Sequence, residues 1–353
     1  MTYRFEPRLS FASTIPSNYY NEAAALAAEN RTIFGRTWQL VGHEDQVRER
    51  GQFFTTTVAE EPLLIVRGDD GEVRALSNVC RHRAGPVAKG AGKRPSLQCG
   101  YHGWTYALDG TLRTAPEMDG IECWDKKTVA LPQFRIESWN GLLFANRDRD
   151  ASPLPDFLGD LGRRSFGGAL AARKEWMVNC NWKVYVDNYL EGYHIPIVHP
   201  GLFKEIDYPN YRTETRPNFS IQHAPLKNPQ RIRGDGEAEY FWLFPNLMLN
   251  VYPDNFSTNL IVPVGHDKTL TIFEWYFRDP ASKKTEIDET IAFSDEIQLE
   301  DITICEAVQR GLRSSTYDSG RYSPVRENGL HHFHGLYAAA MGLGPLPSGE
   351  GGA

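Results

Sequence analysis

The chain has 353 residues, more than one typical hydrophobic core needs, so two domains are expected. Its contents of hydrophobic residues (41%) and charged residues (24%) are those of a globular protein and exclude a disordered, collagen-like or coiled-coil chain. A net charge of −7 without blocks of like charge predicts no nucleic-acid partner. No apolar run approaches the roughly 18 residues that span a bilayer, and the N-terminus lacks a signal-peptide core, so a cytoplasmic location without membrane association is expected.

The N-terminal part of the chain predicts one helix and then a β domain. Apolar residues at three- and four-residue spacing predict a helix over residues 19–38. Short β-type runs separated by glycine and aspartate turn signals follow, at 53–58, 62–67, 73–77 and 141–146. They predict a small antiparallel β domain over residues 39–148, with residues 1–38 packing on the domain that follows it.

A polar, proline-containing stretch at 148–155 predicts a linker, so the second domain is expected at 149–353. There, helical patterns at 182–199 and 282–312 flank β-type runs at 240–252, 260–264 and 269–277. The mixture predicts an α+β domain.

Five cysteines, an odd number, are scattered along the chain, which is not the pattern of a disulfide framework. Cys123, Cys180 and Cys305 have no ligand partner at a recognisable spacing and are predicted to be small buried apolar residues. The other two cysteines have histidine neighbours.

The first metal constellation combines these cysteines with two histidines. Cys80 and His82, then Cys99 and His102, give the pattern C-x-H-x16-C-x2-H in glycine-rich turns. The four side chains could bind zinc, or a [2Fe–2S] cluster with both thiolates on one iron and both imidazoles on the other. Each loop supplies one Cys and one His, and this mixed pairing favours the cluster.

The second constellation has the spacing D-x3-E-x2-H-x4-H, formed by Asp187, Glu191, His194 and His199. The first three fall on one face of a predicted helix, whereas the two histidines would splay apart on an ideal helix. Pro196 lies between the histidines, so a helix break there is predicted to bring them to one metal. Two histidines and one carboxylate are typical of a non-haem Fe(II) site.

The third ligand is either Glu191 or Asp301. Asp301 is predicted on an apolar helix face, with Ile297, Ile304, Cys305, Val308 and Leu312. A carboxylate there needs a metal or a basic partner, and a salt bridge remains the alternative. Glu296 and Glu300 are predicted to point away from this metal.

Three more histidines near the end of the chain are not expected to bind a metal. His331, His332 and His334 are predicted to pack in the interior or lie on the surface, and no third metal is expected.

Several of these motifs resemble one family. The runs CRHRAG and CGYHGWTYALDG resemble the two cluster loops of Rieske-type non-haem iron oxygenases. The runs LEDITICEAVQRGLRSSTYDSGRY, HHFHGL and YFWLFPNLMLNVYP resemble the choline monooxygenase-like branch of that family, among its alpha (terminal oxygenase) subunits. The resemblance extends from about Tyr19 to His334, and the last of these runs resembles a strand over the active-site cavity.

The resemblance implies an α+β fold, in which a small antiparallel β Rieske domain is inserted in a chain with a helix-wrapped antiparallel-sheet catalytic domain. It assigns the [2Fe–2S] cluster to Cys80, His82, Cys99 and His102. It assigns Fe(II) to His194, His199 and Asp301. By the same resemblance, Glu191 bridges an iron histidine to a cluster histidine of the neighbouring subunit, and Asp187 either orients an imidazole or is structural.

The function that the resemblance implies is O₂-dependent hydroxylation of a small molecule, with electrons from a separate NAD(P)H-dependent reductase and a head-to-tail homotrimer as the assembly. A quaternary or tertiary amine such as a betaine, carnitine or choline is the expected substrate. Five aromatic residues could cage its cation or merely fill strands: Tyr240, Phe241, Trp242, Phe244 and Tyr252. The alternatives are an aromatic substrate, a Rieske electron carrier and a zinc-stabilised binding protein. A content of about three irons per chain would identify an oxygenase.

Overall fold

The computed structural model describes residues 3–227, 237–281 and 284–344. The chain divides into two compact units. One is Asn30–Phe157, and the other combines the chain up to Glu29 with the chain from Leu158 onwards. Within the described ranges, no helix is both long and apolar enough to cross a membrane.

Residues 30–157 form an antiparallel β unit. A seven-stranded sheet has the order β1-β10-β9-β4-β3-β2-β5, and β6-β7-β8 form a small three-stranded sheet. The strands are β1 Gln39–His43, β2 Gln52–Val58, β3 Glu61–Arg67, β4 Val73–Ser77, β5 Ala91–Lys93, β6 Leu97–Gln98, β7 Thr105–Tyr106, β8 Leu112–Thr114, β9 Gln133–Trp139 and β10 Leu142–Asn146. The unit also contains a π-helical turn, Asn30–Phe34, and two 3-10 turns, Glu44–Val47 and Lys126–Thr128.

Strand β3 is buried on both faces and separates two cores. Leu64 and Val66 pack into one core, while Leu63 and Ile65 pack into the other, because successive side chains of a strand point to opposite faces. The core of Leu64 and Val66 also contains the thiols of Cys80 and Cys99. The cysteine loops therefore rest directly on the packed interior of this unit.

The second unit is an antiparallel sheet with helices. The sheet has the order β11-β17-β16-β15-β14-β13-β12, so β12 to β17 form a meander and β11 pairs with its last strand. The strands are β11 Ala169–Val178, β12 Arg212–Arg216, β13 Phe219–Pro225, β14 Glu237–Leu243, β15 Leu247–Val251, β16 Asn255–Gly265 and β17 Lys268–Phe277. The helices of the chain are α1 Asn18–Asn21, α2 Ala23–Glu29, α3 Leu154–Leu158, α4 Trp182–Tyr189, α5 Ile195–Val198, α6 Pro200–Glu205, α7 Lys284–Leu312 and α8 Asn328–Ala340, with 3-10 turns at Gly159–Arg163 and Tyr208–Asn210.

The expected α+β class and most of the expected strands are confirmed, but three local predictions are wrong. The helix predicted over 19–38 is broken, because Glu22 adopts an extended backbone between α1 and α2, and the helical turns end at Phe34. The single run predicted at 240–252 is a hairpin of two strands, β14 and β15. Cys123 is exposed in a turn with a positive φ, whereas Cys180 and Cys305 are buried as predicted.

A buried ion pair ties the N-terminal helices to α4. Glu29 and Lys183 are both fully buried, and their side chains are 2.6 Å apart. Glu29 also accepts hydrogen bonds from the indole of Trp182 and the hydroxyl of Tyr337 on α8. Burial lowers the pKa of Lys183, and the charge of Glu29 opposes that shift. Three separate parts of the chain thus share one carboxylate.

Lys183→Met should lower the free energy of unfolding by about 3–5 kcal/mol, because it leaves the Glu29 charge buried without its cation. Urea unfolding followed by tryptophan fluorescence measures the change. Lys174→Met is the matched control, since Lys174 and its partner Asp295 are partly exposed to solvent, by 42% and 27% of their side chains, and this pair should contribute only about 0–1 kcal/mol. Equal effects of the two substitutions would contradict the importance of the buried pair.

Candidate metal centres

Each of the two cysteine-histidine loops closes on itself through backbone hydrogen bonds. In the first loop, the amide of Cys80 donates to the carbonyl of Gly85, and the amide of Ala84 donates back to Cys80. In the second loop, Cys99 exchanges equivalent bonds with Trp104 and Gly103. The two loops are therefore rigid turns that present one thiol and one imidazole each.

Across the loops, like side chains meet. The rings of His82 and His102 lie 4.6 Å apart, centroid to centroid. The thiols of Cys80 and Cys99 are both buried, and burial, with a smaller effect of the Cys80 thiol, raises the pKa of Cys99. A tetrahedral zinc would instead gather all four ligand atoms round one ion. A thiol pair beside an imidazole pair is the donor arrangement of a [2Fe–2S] cluster with two Cys on one iron and two His on the other.

Three further observations fit a cluster at this position. The Nδ1 atom of His82 is buried and has no hydrogen-bond partner in the part of the chain that the structure describes, as expected for a nitrogen that binds a metal. At Gly85, a Cβ atom would approach the Cys99 sulfur to 3.3 Å and crowd the space next to it. The Tyr106 hydroxyl lies 3.2 Å from the Cys80 sulfur and can hydrogen-bond to it.

The two histidines of the second centre lie at the ends of a one-turn helix. Helix α4 ends at Tyr189, and α5 begins directly after His194 and ends before His199. The prediction that Asp187, Glu191 and His194 share one helix is therefore wrong, because the helix ends before Glu191. Pro196 does not cause a break, because it occupies the first turn of α5, where a missing N–H costs nothing.

Close packing fixes the segment between α4 and α5. At Gly192, a Cβ atom would come within 2.7 Å of the Tyr211 ring, so this position requires glycine. The next residue on the N-terminal side, Glu191, folds its carboxylate back onto the amides of Tyr193 and His194. The loop thereby turns the side chain of His194 towards His199.

His194, His199 and Asp301 converge on one point. Their ligand atoms all lie within 4.8 Å of one another, and within residues 3–227, 237–281 and 284–344 no other group of three or more His, Cys, Asp or Glu residues does so. Asp301 Oδ1 is 3.0 Å from His199 Nε2 and 3.9 Å from His194 Nε2. Two imidazole nitrogens and one carboxylate on the same side of an ion fit a non-haem Fe(II) site with open coordination positions.

Each of these histidines also has a glutamate at its other ring nitrogen. His194 Nδ1 lies 2.6 Å from Glu191, and His199 Nδ1 lies 2.7 Å from Glu300. The prediction that Glu300 points elsewhere is wrong, because His199 lies against α7 where both Glu300 and Asp301 can reach it. Burial alone would lower the pKa of His199, but its bonds to Asp301 and Glu300 outweigh burial and raise it.

Asp187 contacts an imidazole, but not one of the two beside Asp301. Its carboxylate accepts a hydrogen bond from the Tyr20 hydroxyl at 2.7 Å and lies 3.1 Å from His334 Nε2. The other nitrogen of His334 is 2.6 Å from the Tyr322 hydroxyl. All three histidines of α8 are buried, so packing is confirmed for them. Local sequence patterns could not identify Tyr20 and His334 as the partners of Asp187, because these residues are far apart in the chain.

A cavity of about 640 Å³ opens beside the three converging ligands. Of the five aromatic residues proposed as a cage, Tyr240 and Tyr252 line it, whereas Phe241, Trp242 and Phe244 do not. Sequence reasoning missed other aromatic residues of its wall: Tyr185, Tyr189, Tyr211, Phe273, Trp275 and Phe293. Glu296 also lines the cavity, so the prediction that it points elsewhere is wrong.

Two family models match the chain in succession. Residues 37–125 match the Rieske [2Fe-2S] domain, and residues 168–343 match the catalytic domain of the ring hydroxylating alpha subunit. The first contains all four proposed cluster ligands, and the second contains all three proposed iron ligands.

Similar proteins cover most of the chain. Chloroplastic choline monooxygenase of Arabidopsis thaliana is 36% identical, over 94% of this chain and 84% of the relative. The carnitine monooxygenase oxygenase subunit of Escherichia coli (strain K12) is 31% identical, over 93% of each chain.

The solved structures agree with this grouping. A quaternary ammonium Rieske monooxygenase superposes with a TM-score of 0.88 at 29% identity, over 97% of this chain and 100% of the other. The CntA monooxygenase in complex with L-carnitine superposes with a TM-score of 0.85 at 30% identity, over 95% and 97% of the two chains. This chain therefore belongs to the Rieske-type non-haem iron oxygenases as an alpha subunit, an oxidoreductase with a [2Fe–2S] cluster and a mononuclear iron.

Proposed function

We propose that this chain hydroxylates a carbon next to the nitrogen of a quaternary or tertiary amine, such as choline, carnitine or a betaine. The observation that carries the proposal is the tyrosine-lined cavity beside His194, His199 and Asp301. One O₂, two electrons and two protons convert the C–H bond to C–OH and release water. The hydroxylated product then collapses to an aldehyde and a dealkylated amine. A separate NAD(P)H-dependent reductase supplies the electrons.

The walls of the cavity suit an organic cation. Tyr211 and Tyr240 are buried, and Tyr189 and Tyr252 pack beside them partly buried. Burial raises the pKa of all four hydroxyls, so they stay neutral. Their hydroxyls are engaged within the wall: Tyr252 donates to Tyr240, for example. Aromatic rings attract a desolvated ammonium by about 2 kcal/mol or more. Relatives named for choline and carnitine, and the CntA complexes with L-carnitine and gamma-butyrobetaine, support the same substrate class.

The residues of this chain have separate roles in the proposal. When bound, the cluster held by Cys80, His82, Cys99 and His102 passes on single electrons, and the iron held by His194, His199 and Asp301 activates O₂. The tyrosine wall orients the ammonium group. Glu191 holds the Nδ1 proton of His194 and leaves the Nε2 lone pair for the metal.

An aromatic substrate is the second candidate, because Phe273, Trp275 and Phe293 add an apolar surface to the same cavity.

For assembly, we propose a head-to-tail homotrimer in which Glu191 bridges His194 and the cluster of the neighbouring subunit. The composition and the bacterial relatives support a cytoplasmic location, whereas the plant relatives are named as chloroplastic.

His194→Ala and Asp301→Ala should each reduce the iron content from about three to about two per chain and abolish turnover, because each removes one of three ligands. Iron analysis and the Rieske absorption spectrum measure the two sites separately, and the spectrum should not change. His266→Ala, at a half-exposed position, is the control and should retain all iron. Full turnover in Asp301→Ala would transfer the carboxylate role to another residue, with Glu191 the first candidate.

Amine oxidation should depend on the positive charge of the substrate. Choline, carnitine and glycine betaine are assayed for aldehyde release with a generic reductase, and 3,3-dimethylbutanol serves as the neutral match of choline. The charged member of that pair should bind about 30-fold more tightly, which corresponds to about 2 kcal/mol of cation–π attraction.

Tyr240→Leu should weaken amine binding, whereas Phe241→Leu, on the same strand but outside the cavity, should not. Turnover of simple aromatic acids without any turnover of amines would support the second candidate instead.

Electron transfer between subunits is tested by mixing two inactive chains. Cys80→Ser lacks the cluster and His194→Ala lacks the iron, so neither works alone. In mixed oligomers, an intact cluster of one chain faces an intact iron of the next, and activity should return. Mixtures that remain inactive would contradict the head-to-tail assembly. Glu191→Gln should keep both metals when Fe(II) is in excess, yet turn over slowly.

A further inference from the structure

His199 is held between two consecutive carboxylates of α7. Its Nδ1 atom lies 2.7 Å from Glu300 Oε2, and its Nε2 atom lies 3.0 Å from Asp301 Oδ1. The side chain of His199 is only 2% exposed, so its ring is almost completely enclosed by protein. Each ring nitrogen therefore faces its own acidic group.

The two carboxylates have different relations to the metal position. Asp301 faces the Nε2 atoms of both His199 and His194, so the ion belongs on that side of the rings. A neutral imidazole has one proton, and a proton on Nε2 would occupy the place of the metal bond. Glu300 lies on the opposite side of the His199 ring, where it can accept the proton on Nδ1.

We infer that Glu300 is a positioning residue, which fixes the Nδ1–H tautomer of His199 and strengthens Fe(II) binding through its negative charge. Carboxylates that hold the far nitrogen of a metal-binding histidine commonly contribute 10- to 100-fold to metal affinity. The inference rests on the proposed iron ligands. It separates Glu300 from Glu191, because the proposed role of Glu191 extends to the neighbouring subunit and that of Glu300 stays within one chain.

The experiment measures Fe(II) release from the full-length holoenzyme to an excess of a coloured Fe(II) chelator without oxygen. Glu300→Ala should release the mononuclear iron about 10- to 100-fold faster than the unchanged protein, with the Rieske absorption constant. Glu300→Gln should be intermediate, because its amide oxygen still accepts the Nδ1 proton but has no charge. This partial rescue is not expected from a general loss of packing. When Co(II) replaces Fe(II) in the same site, its visible absorption bands should shift in both variants relative to the unchanged protein.

Glu306→Ala is the matched control, since Glu306 lies on the same helix but hydrogen-bonds to Asn179, and it should release iron at the unchanged rate. Release from Glu300→Ala within twofold of the unchanged protein would overturn the inference. His199→Ala and Asp301→Ala separate this failure from failure of the proposed site. If they lose iron and Glu300→Ala does not, only the role of Glu300 is wrong. If they also keep iron, the proposed ligand set is wrong.

Discussion

The proposed iron site depends on the register of α7 against α4, and two buried glutamines fix that register. Gln298 accepts a hydrogen bond from the Tyr185 hydroxyl and donates one to Thr271 of the sheet. Three helical turns later, Gln309 accepts from the amide of Asn181, the N-cap of α4. Both glutamine side chains are 1% exposed, so water cannot replace these partners, and a shift of the helix would leave buried polar groups unsatisfied. Asp301 lies between these two anchors.

The fixed register of α7 explains why the adjacent residues Glu300 and Asp301 contact different atoms of the histidines. Successive residues of a helix are about 100° apart around its axis, so a shift of one residue would remove Asp301 from the two histidines. With the observed register, Asp301 faces the Nε2 atoms and Glu300 faces Nδ1 of His199. The proposed metal ligand and its neighbour therefore have their positions fixed by polar contacts that lie outside the proposed metal site.

The opposite side of α4 is anchored by residues from both ends of the chain. Asp187 meets Tyr20 and His334, and Lys183 meets Glu29, so α1, α2 and α8 all pack on the helix that precedes the iron histidines. These contacts join residues about 150 to 300 positions apart, so forming them on folding requires large loops of the chain to close. Their arrangement requires the completed fold. Loss of these contacts would displace α4, and with it the segment that carries His194 and His199.

The sequence by itself was enough to predict both proposed donor sets. The spacing of Cys80, His82, Cys99 and His102, and the local pair of histidines, are short-range patterns that depend on few tertiary contacts. Strands with alternating or continuous apolar residues were predictable for the same reason. Only the tertiary structure decided which side chains contact these histidines and the acidic residues near them. It placed Glu300 on His199 and Asp187 on His334, because helix register and the packing of distant segments depend on side chains that local periodicity does not record.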